Sequence, residues 1–267
     1  MASTAPVSDP TSARRAWVNL ASVVGTITVN ALANIIPFNG QNTGQVSDRF
    51  QVYFVPSGYV FAIWSVIYLA WLLFCAYQLL PANRGKPRFA ALGYWFALSG
   101  VFNSLWLVCW HYNQFTLSLV VMLALLVTLI VSYRRLGVGR TPSGAVERWC
   151  VDAPFGLYLG WISVATIANV AIVLYALHWN GWGIAPSSWA MIMLVVGASI
   201  AVAVLVREHD VVFALVFVWA LVGIGIQHPG ASMLPLVAYG LAVGVTAAIV
   251  ASLVADHGRY ARGVGAT

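Results

Sequence analysis

Residues Tyr53–Pro81 read YFVPSGYVFAIWSVIYLAWLLFCAYQLLP: a Pro-Ser-Gly turn, then more than twenty residues without a charge. As a helix, such a run is long enough to cross the hydrocarbon core of a bilayer. Trp64, Tyr68, Trp71 and Cys75 follow one another at steps of four, three and four, which places them on one helical face. A single stripe of this kind is as readily core packing as the wall of a site. Here the spacing recurs twice more, in Ser99, Asn103, Trp106 and Trp110, and in Tyr158, Trp161, Ala165 and Asn169.

Outward from that stretch, composition sets the class. The 267 residues are 61% hydrophobic and 7% charged, whereas soluble domains carry about a quarter charged residues. The expectation is an all-α, polytopic transmembrane helix bundle. The net charge of +6 sits in short clusters between apolar runs, the arrangement that orients membrane helices, so nucleic acid is not an expected partner. Cys75, Cys109 and Cys150 are odd in number and lack ligand spacing, so neither a disulfide nor a metal site is implied.

Residues 1–15, rich in Ser, Thr, Ala and Pro and ending in Arg14-Arg15, read as a disordered tail. The first apolar run, Ala16–Ile36, carries Asn19, and then Ser22, Thr26, Asn30 and Asn34 at intervals of four. That polar stripe must face protein or a cavity, as interhelical hydrogen-bonding glue or as lining. A polar loop, residues 37–55, is expected over one mouth of the bundle. Further runs follow at 89–111, 115–133 (apolar enough to face lipid) and 151–177, where Gly156 and Gly160 form a small-xxx-small face. Trp179 and Trp182, in the loop from His178, suit an interfacial aromatic belt.

Three plainer runs, 189–206, 211–227 and 232–255, complete eight spans. They hold Trp219 as their one tryptophan beyond Trp189, and Gly240 with Gly244 offers a face for packing within the chain or for a homodimer. Twelve of the thirteen basic residues fall on the side of the termini and Arg49 opposite, so both termini are expected in the cytoplasm of a cell membrane protein. No charged residue lies at mid-membrane, against ion-coupled transport. The five histidines lie at helix ends or in loops, where solvation is the ordinary state. With no nucleophile elbow, phosphate loop or HExxH motif, catalytic residues and metal ligands are both expected to be none.

FVPSGYVFAIWSVIY (Phe54–Tyr68) resembles the P-P-x-W/x-V-F-G-P-V-W-x-x-L-Y signature of the tryptophan-rich sensory protein and translocator protein (TspO/MBR) family. FNSLW (Phe102–Trp106) and LYLGWISVATIAN (Leu157–Asn169) are similar to that family's third- and fifth-helix motifs. Ser57 replaces the signature's second proline, Ala62-Ile63 its internal Gly-Pro, and Leu157 the proline before the fifth-helix tyrosine. The resemblance implies a five-helix core at 16–178 and does not address the three-helix extension at 179–255; with no interior polar stripe and only short loops, that extension is expected to pack outside the pocket, before a terminal tail at 256–267. The resemblance implies a hydrophobic, tetrapyrrole-like or sterol-like ligand bound at Trp64, Tyr68, Asn103, Trp106, Trp161 and Asn169. A porphyrin- or haem-type molecule is the one cofactor it suggests, with porphyrin degradation as a proposed family activity that no residue here supports. Two other readings stand beside ligand binding or sensing: a transporter of uncharged or amphipathic solutes, and a structural subunit of a pigment or respiratory complex. Membrane lipids are partners in each.

Overall fold

The computed structural model describes residues 10–141, 143–230 and 233–264, with side chains described as far as residue 255. Among them no strand occurs, and eight helices of seventeen residues or more follow the apolar runs: α1 (Pro10–Ile35), α2 (Ile63–Leu79), α3 (Trp95–His111), α4 (Phe115–Leu136), α5 (Ala153–Ala176), α6 (Pro186–Glu208), α7 (Val211–Gln227) and α8 (Leu234–Val264). Their ends have local causes. Pro186 opens α6, where a missing N–H costs nothing. Asp210 caps α7 by accepting from Phe213 N at 2.9 Å, and Gly137, at φ 65°, closes α4.

Six segments are long and apolar enough to cross a membrane: Pro10–Ile35, Gly58–Leu79, Phe115–Leu136, Ala145–Ala176, Pro186–Glu208 and Leu234–Ala255. The chain is thus a multi-pass membrane protein. The expected third span, from Phe89, is broken: Pro87–Leu92 forms a short helix, Gly93 turns at φ 59°, and α3 then begins at Trp95. At seventeen residues each, α3 and α7 are about 26 Å long, against a hydrocarbon core of about 30 Å. The tails also differ from expectation. Residues 10–15 belong to α1, and α8 continues beyond 255 to Val264; residues 1–9 and 265–267 lie outside the described residues, as do 231 and 232 at the start of the expected last run.

The chain divides into two compact units, one comprising the described part of Met1–Thr43 with Trp64–Phe155, the other Gly44–Ile63 with the described part of Gly156–Thr267. This is not the expected division after residue 178. Most of α5 and the α1–α2 connection from Gly44 fold with the last three helices.

In the first unit, the polar stripe of α1 is spent on neighbouring helices. Asn19 Nδ2 donates to Gln78 Oε1 at 2.9 Å, Ser22 Oγ to Ala97 O at 2.8 Å, Thr26 Oγ1 to Gly100 O at 3.2 Å, and Asn30 Nδ2 to Asn103 Oδ1 at 3.0 Å. Gly100 permits this approach, since a Cβ there would stand 2.3 Å from Ser22 Oγ. Of the two uses open to the stripe, the structure displays the interhelical bonding. α4 faces outward on only one side: Met122, Leu125, Leu129 and Leu136 are buried, while Leu117, Val120, Leu123, Val127 and Ile130 are exposed. Its polar groups turn inward, with Ser118, Thr128 and Ser132 each donating to a carbonyl of its own helix at 2.7 Å.

Where the α2–α3 and α4–α5 connections meet, Arg88 pairs with Asp152 and, at 2.9 Å, with Glu147, while Lys86 Nζ reaches Glu147 at 2.7 Å and donates to Tyr77 Oη at 2.7 Å. Arg88 Nε also donates to Leu136 O at 3.1 Å and Ser143 Oγ to Asp152 Oδ2 at 2.7 Å. His111, expected to be solvated, is fully buried. It terminates α3 beneath residues 38–43: its ring meets Phe38 edge-on at 5.8 Å, and its carbonyl accepts from Asn39 and Gln41.

In the second unit, the Pro-Ser-Gly turn docks on α7. Ser57 N donates to Gly223 O at 3.1 Å, Trp219 Nε1 donates to Val60 O at 3.0 Å, and Tyr59 meets Trp219 edge-on at 5.2 Å. Gly156 and Gly160 serve packing within the chain: a Cβ at the first would stand 2.3 Å from Asp210 Oδ2, and at the second 3.1 Å from Val216 Cβ. A Cβ on Gly240 or Gly244 would meet nothing within 4 Å among the described residues, so these two are not the close-packed glycines that Gly156 and Gly160 are.

Candidate ligand-binding site

The aromatic stripes form as their helical spacing requires. In the first unit Trp64 and Tyr68, both half-buried, stack at 5.7 Å with 29° between their planes, and Trp71 closes the cluster at 6.4 Å from Trp64 and 5.5 Å from Tyr68. The 3₁₀ turn Gly58–Ala62 gives way to α2 at Ile63, so the change of helical pitch falls at Ala62-Ile63. On α3, Asn103 and Trp106 are buried; Trp106 stacks on Trp110 at 5.5 Å, and Asn103 accepts from Asn30. The structure therefore joins Trp64 to Tyr68 and commits Asn103 to α1.

Trp161 and Asn169 belong to the second unit, both 2% exposed on one face of α5, where Trp161 meets Phe61 edge-on at 5.8 Å. The opposite face of that helix, with Ile167, Ala171 and Leu174, lines a cavity of about 290 Å³. Residues 51–54 and the first turns of α6, Pro186–Met193, supply the other walls. α6 thus walls a cavity of its own unit, on the side of α5 away from Trp161 and Asn169.

That cavity is built around a turn. Gly181, Trp182 and Gly183 all have left-handed φ, at 64°, 51° and 79°, a conformation glycine adopts freely and tryptophan does not. Asn180 Oδ1 holds the turn by accepting from Trp182 N at 3.0 Å. Gly181 O then accepts from Trp189 Nε1 at 2.8 Å, fixing that indole 5.4 Å from Trp179. Trp182 is 76% exposed, as a belt residue would be, whereas Trp179 turns into the cavity wall. Sequence reasoning placed Trp179 in the belt and passed over Tyr175 and Trp189 as site residues. The Asn-Gly-Trp-Gly string was the available signal, since it demands a tight turn that draws the flanking tryptophans together.

On the wall beside Gln51, Tyr53 packs against His228 at 5.4 Å. Burial lowers the imidazole pKa below its ordinary value, and hydrogen bonding to the Val55 and Tyr53 carbonyls opposes that shift without cancelling it. Among the described residues, no group of three or more His, Cys, Asp or Glu side chains is placed to hold a metal ion.

The family model described as TSPO-like protein matches residues 16–254. The match runs through all three C-terminal helices, which the motif resemblance alone had set apart. No curated protein and no solved structure matches the chain.

Proposed function

The chain belongs to the TSPO-like protein family, and from that premise we propose that it is a membrane binding or sensory protein for a hydrophobic, tetrapyrrole-like or sterol-like ligand. The observation that carries this reading is the Trp64–Tyr68 pair: two near-parallel rings, half-buried in an uncharged helix, at the positions that match the family signature. Flat conjugated molecules are held by aromatic faces of this kind and oriented by a few polar groups. Trp106, Trp161, Asn103 and Asn169 are the other residues assigned to ligand by the same resemblance. Binding, not catalysis, is the role proposed. A solute path along α1 draws no support from side chains already bonded to α2 and α3.

Protoporphyrin IX titrated into the purified chain should give a saturable Soret shift and quench tryptophan emission. Trp64→Leu, Trp106→Leu and Trp161→Leu should each weaken binding about three- to tenfold, the loss of one aromatic contact of about 0.5–1.5 kcal/mol. Unchanged affinity in all three single variants and in the triple variant would leave the stripes as packing alone. Eight spans with cytoplasmic termini complete the reading, supported by the eight helices and by the one-sided distribution of basic residues.

A further inference from the structure

We propose that the cavity of the second unit is a separate binding site for a neutral, planar aromatic molecule of one or two fused rings that carries a hydrogen-bonding group. It faces the side of α5 opposite Trp161 and Asn169, so it is not the site assigned by family resemblance. Size comes first. At about 290 Å³ it stands at the bottom of the roughly 300–1,000 Å³ range of small-molecule pockets, too small for a four-ring macrocycle. Shape comes next: Tyr53, Phe54, Tyr175, Trp179 and Trp189 contribute rings to its wall, and the bond from Trp189 to Gly181 fixes one of them before any ligand arrives.

Charge excludes ions. Among the described residues no Asp, Glu, Lys or Arg lines the cavity, and an ion buried there would lack a counter-charge. Hydrogen-bonding groups are present on the wall: Gln51 offers an amide, and the Nδ2 of Asn180 can donate while its Oδ1 holds the turn. An apolar body with one hydrogen-bonding group therefore matches the site, with that group against Gln51 or Asn180.

The test is titration calorimetry of the full chain in phosphatidylcholine nanodiscs, with empty nanodiscs subtracted and 2-naphthol and naphthalene as probes. One saturable site for 2-naphthol is expected, with affinity at least tenfold lower in Ala171→Phe, whose ring would fill the cavity. Gln51→Leu, at an exposed position, should lower 2-naphthol affinity about tenfold, the worth of one hydrogen bond, and leave naphthalene unchanged. Absence of a saturable site in the unaltered chain, or undiminished affinity in a folded Ala171→Phe chain, overturns the proposal. Should Ala171→Phe fail to fold, the Gln51→Leu pair decides, and equal changes for the two probes overturn it. Protoporphyrin binding is measured separately, so either site can fail without the other.

Discussion

Ser57 is the residue at which a departure from the family signature acquires a cause. A proline there would have no N–H, and the bond from Ser57 N to Gly223 O could not form. The contact is close on the α7 side as well: a Cβ at Gly223 would lie 2.2 Å from Val60 Cγ2 and 3.3 Å from Pro56 Cβ. Gly223→Leu should therefore destabilise the second unit by about 1–3 kcal/mol, the usual cost of overpacking. Ser57→Pro should cost about 1 kcal/mol through the lost bond. Thermal unfolding in detergent, followed by tryptophan emission, measures both. In the first unit, Asn30→Leu removes the donor to Asn103 and should cost about 1–2 kcal/mol, the worth of an interhelical hydrogen bond; an unchanged melting temperature would show that bond to be dispensable.

Among elements, the connections carry more structure than their sequences display. Arg88 is buried between Glu147 and Asp152; Glu147 keeps Lys86, but Arg88→Ala takes the counter-charge from Asp152 and should cost about 3 kcal/mol, read in the same melting experiment. In Lys86, burial pulls the pKa down, but hydrogen bonds to Glu147 and Tyr77 outweigh it and the net shift is upward. The segment against α7 has a pH dependence of its own. His228 has its pKa lowered on folding, so the stability it contributes is present above the unfolded value of 6.5 and is lost as pH falls through the folded one. Protection from hydrogen exchange at residues 51–60, taken relative to the intrinsic rate at each pH, should fall below about pH 6.5, and His228→Asn should remove that dependence. The helical stripes were legible in advance because a 3.6-residue period is written in the local sequence. The ion cluster was not, because Arg88 and Asp152 are 64 residues apart and local sequence does not encode such a pairing. Nor was the cavity, whose walls come from two connections and two helices with no shared period.

For the whole molecule, the division into units changes what a truncation should do. Composition marks a plain back half after Asn180, and a five-helix fragment ending there looks self-sufficient in sequence. The structure folds Gly44–Ile63 with the helices such a fragment lacks. A chain ended at Asn180 should therefore lose stable folding along with its back half, and gel filtration should show aggregation. Recovery of a monodisperse fragment that binds protoporphyrin would count against this. Reporters fused at either terminus should be cytoplasmic and one inserted near Asn180 on the opposite face, since the basic residues lie almost wholly on one side; opposite-sided termini would mean that a helix such as α7 does not cross. Docking of the Pro-Ser-Gly turn also sets a schedule for biosynthesis. Val60 leaves the ribosome 159 residues before Trp219, its partner. At roughly 5–20 residues per second the interval is about 8–30 seconds. Through that time Val60, buried in the finished protein, has no α7 to cover it, so the nascent chain depends on lipid or the insertion machinery to shelter it until α7 is made.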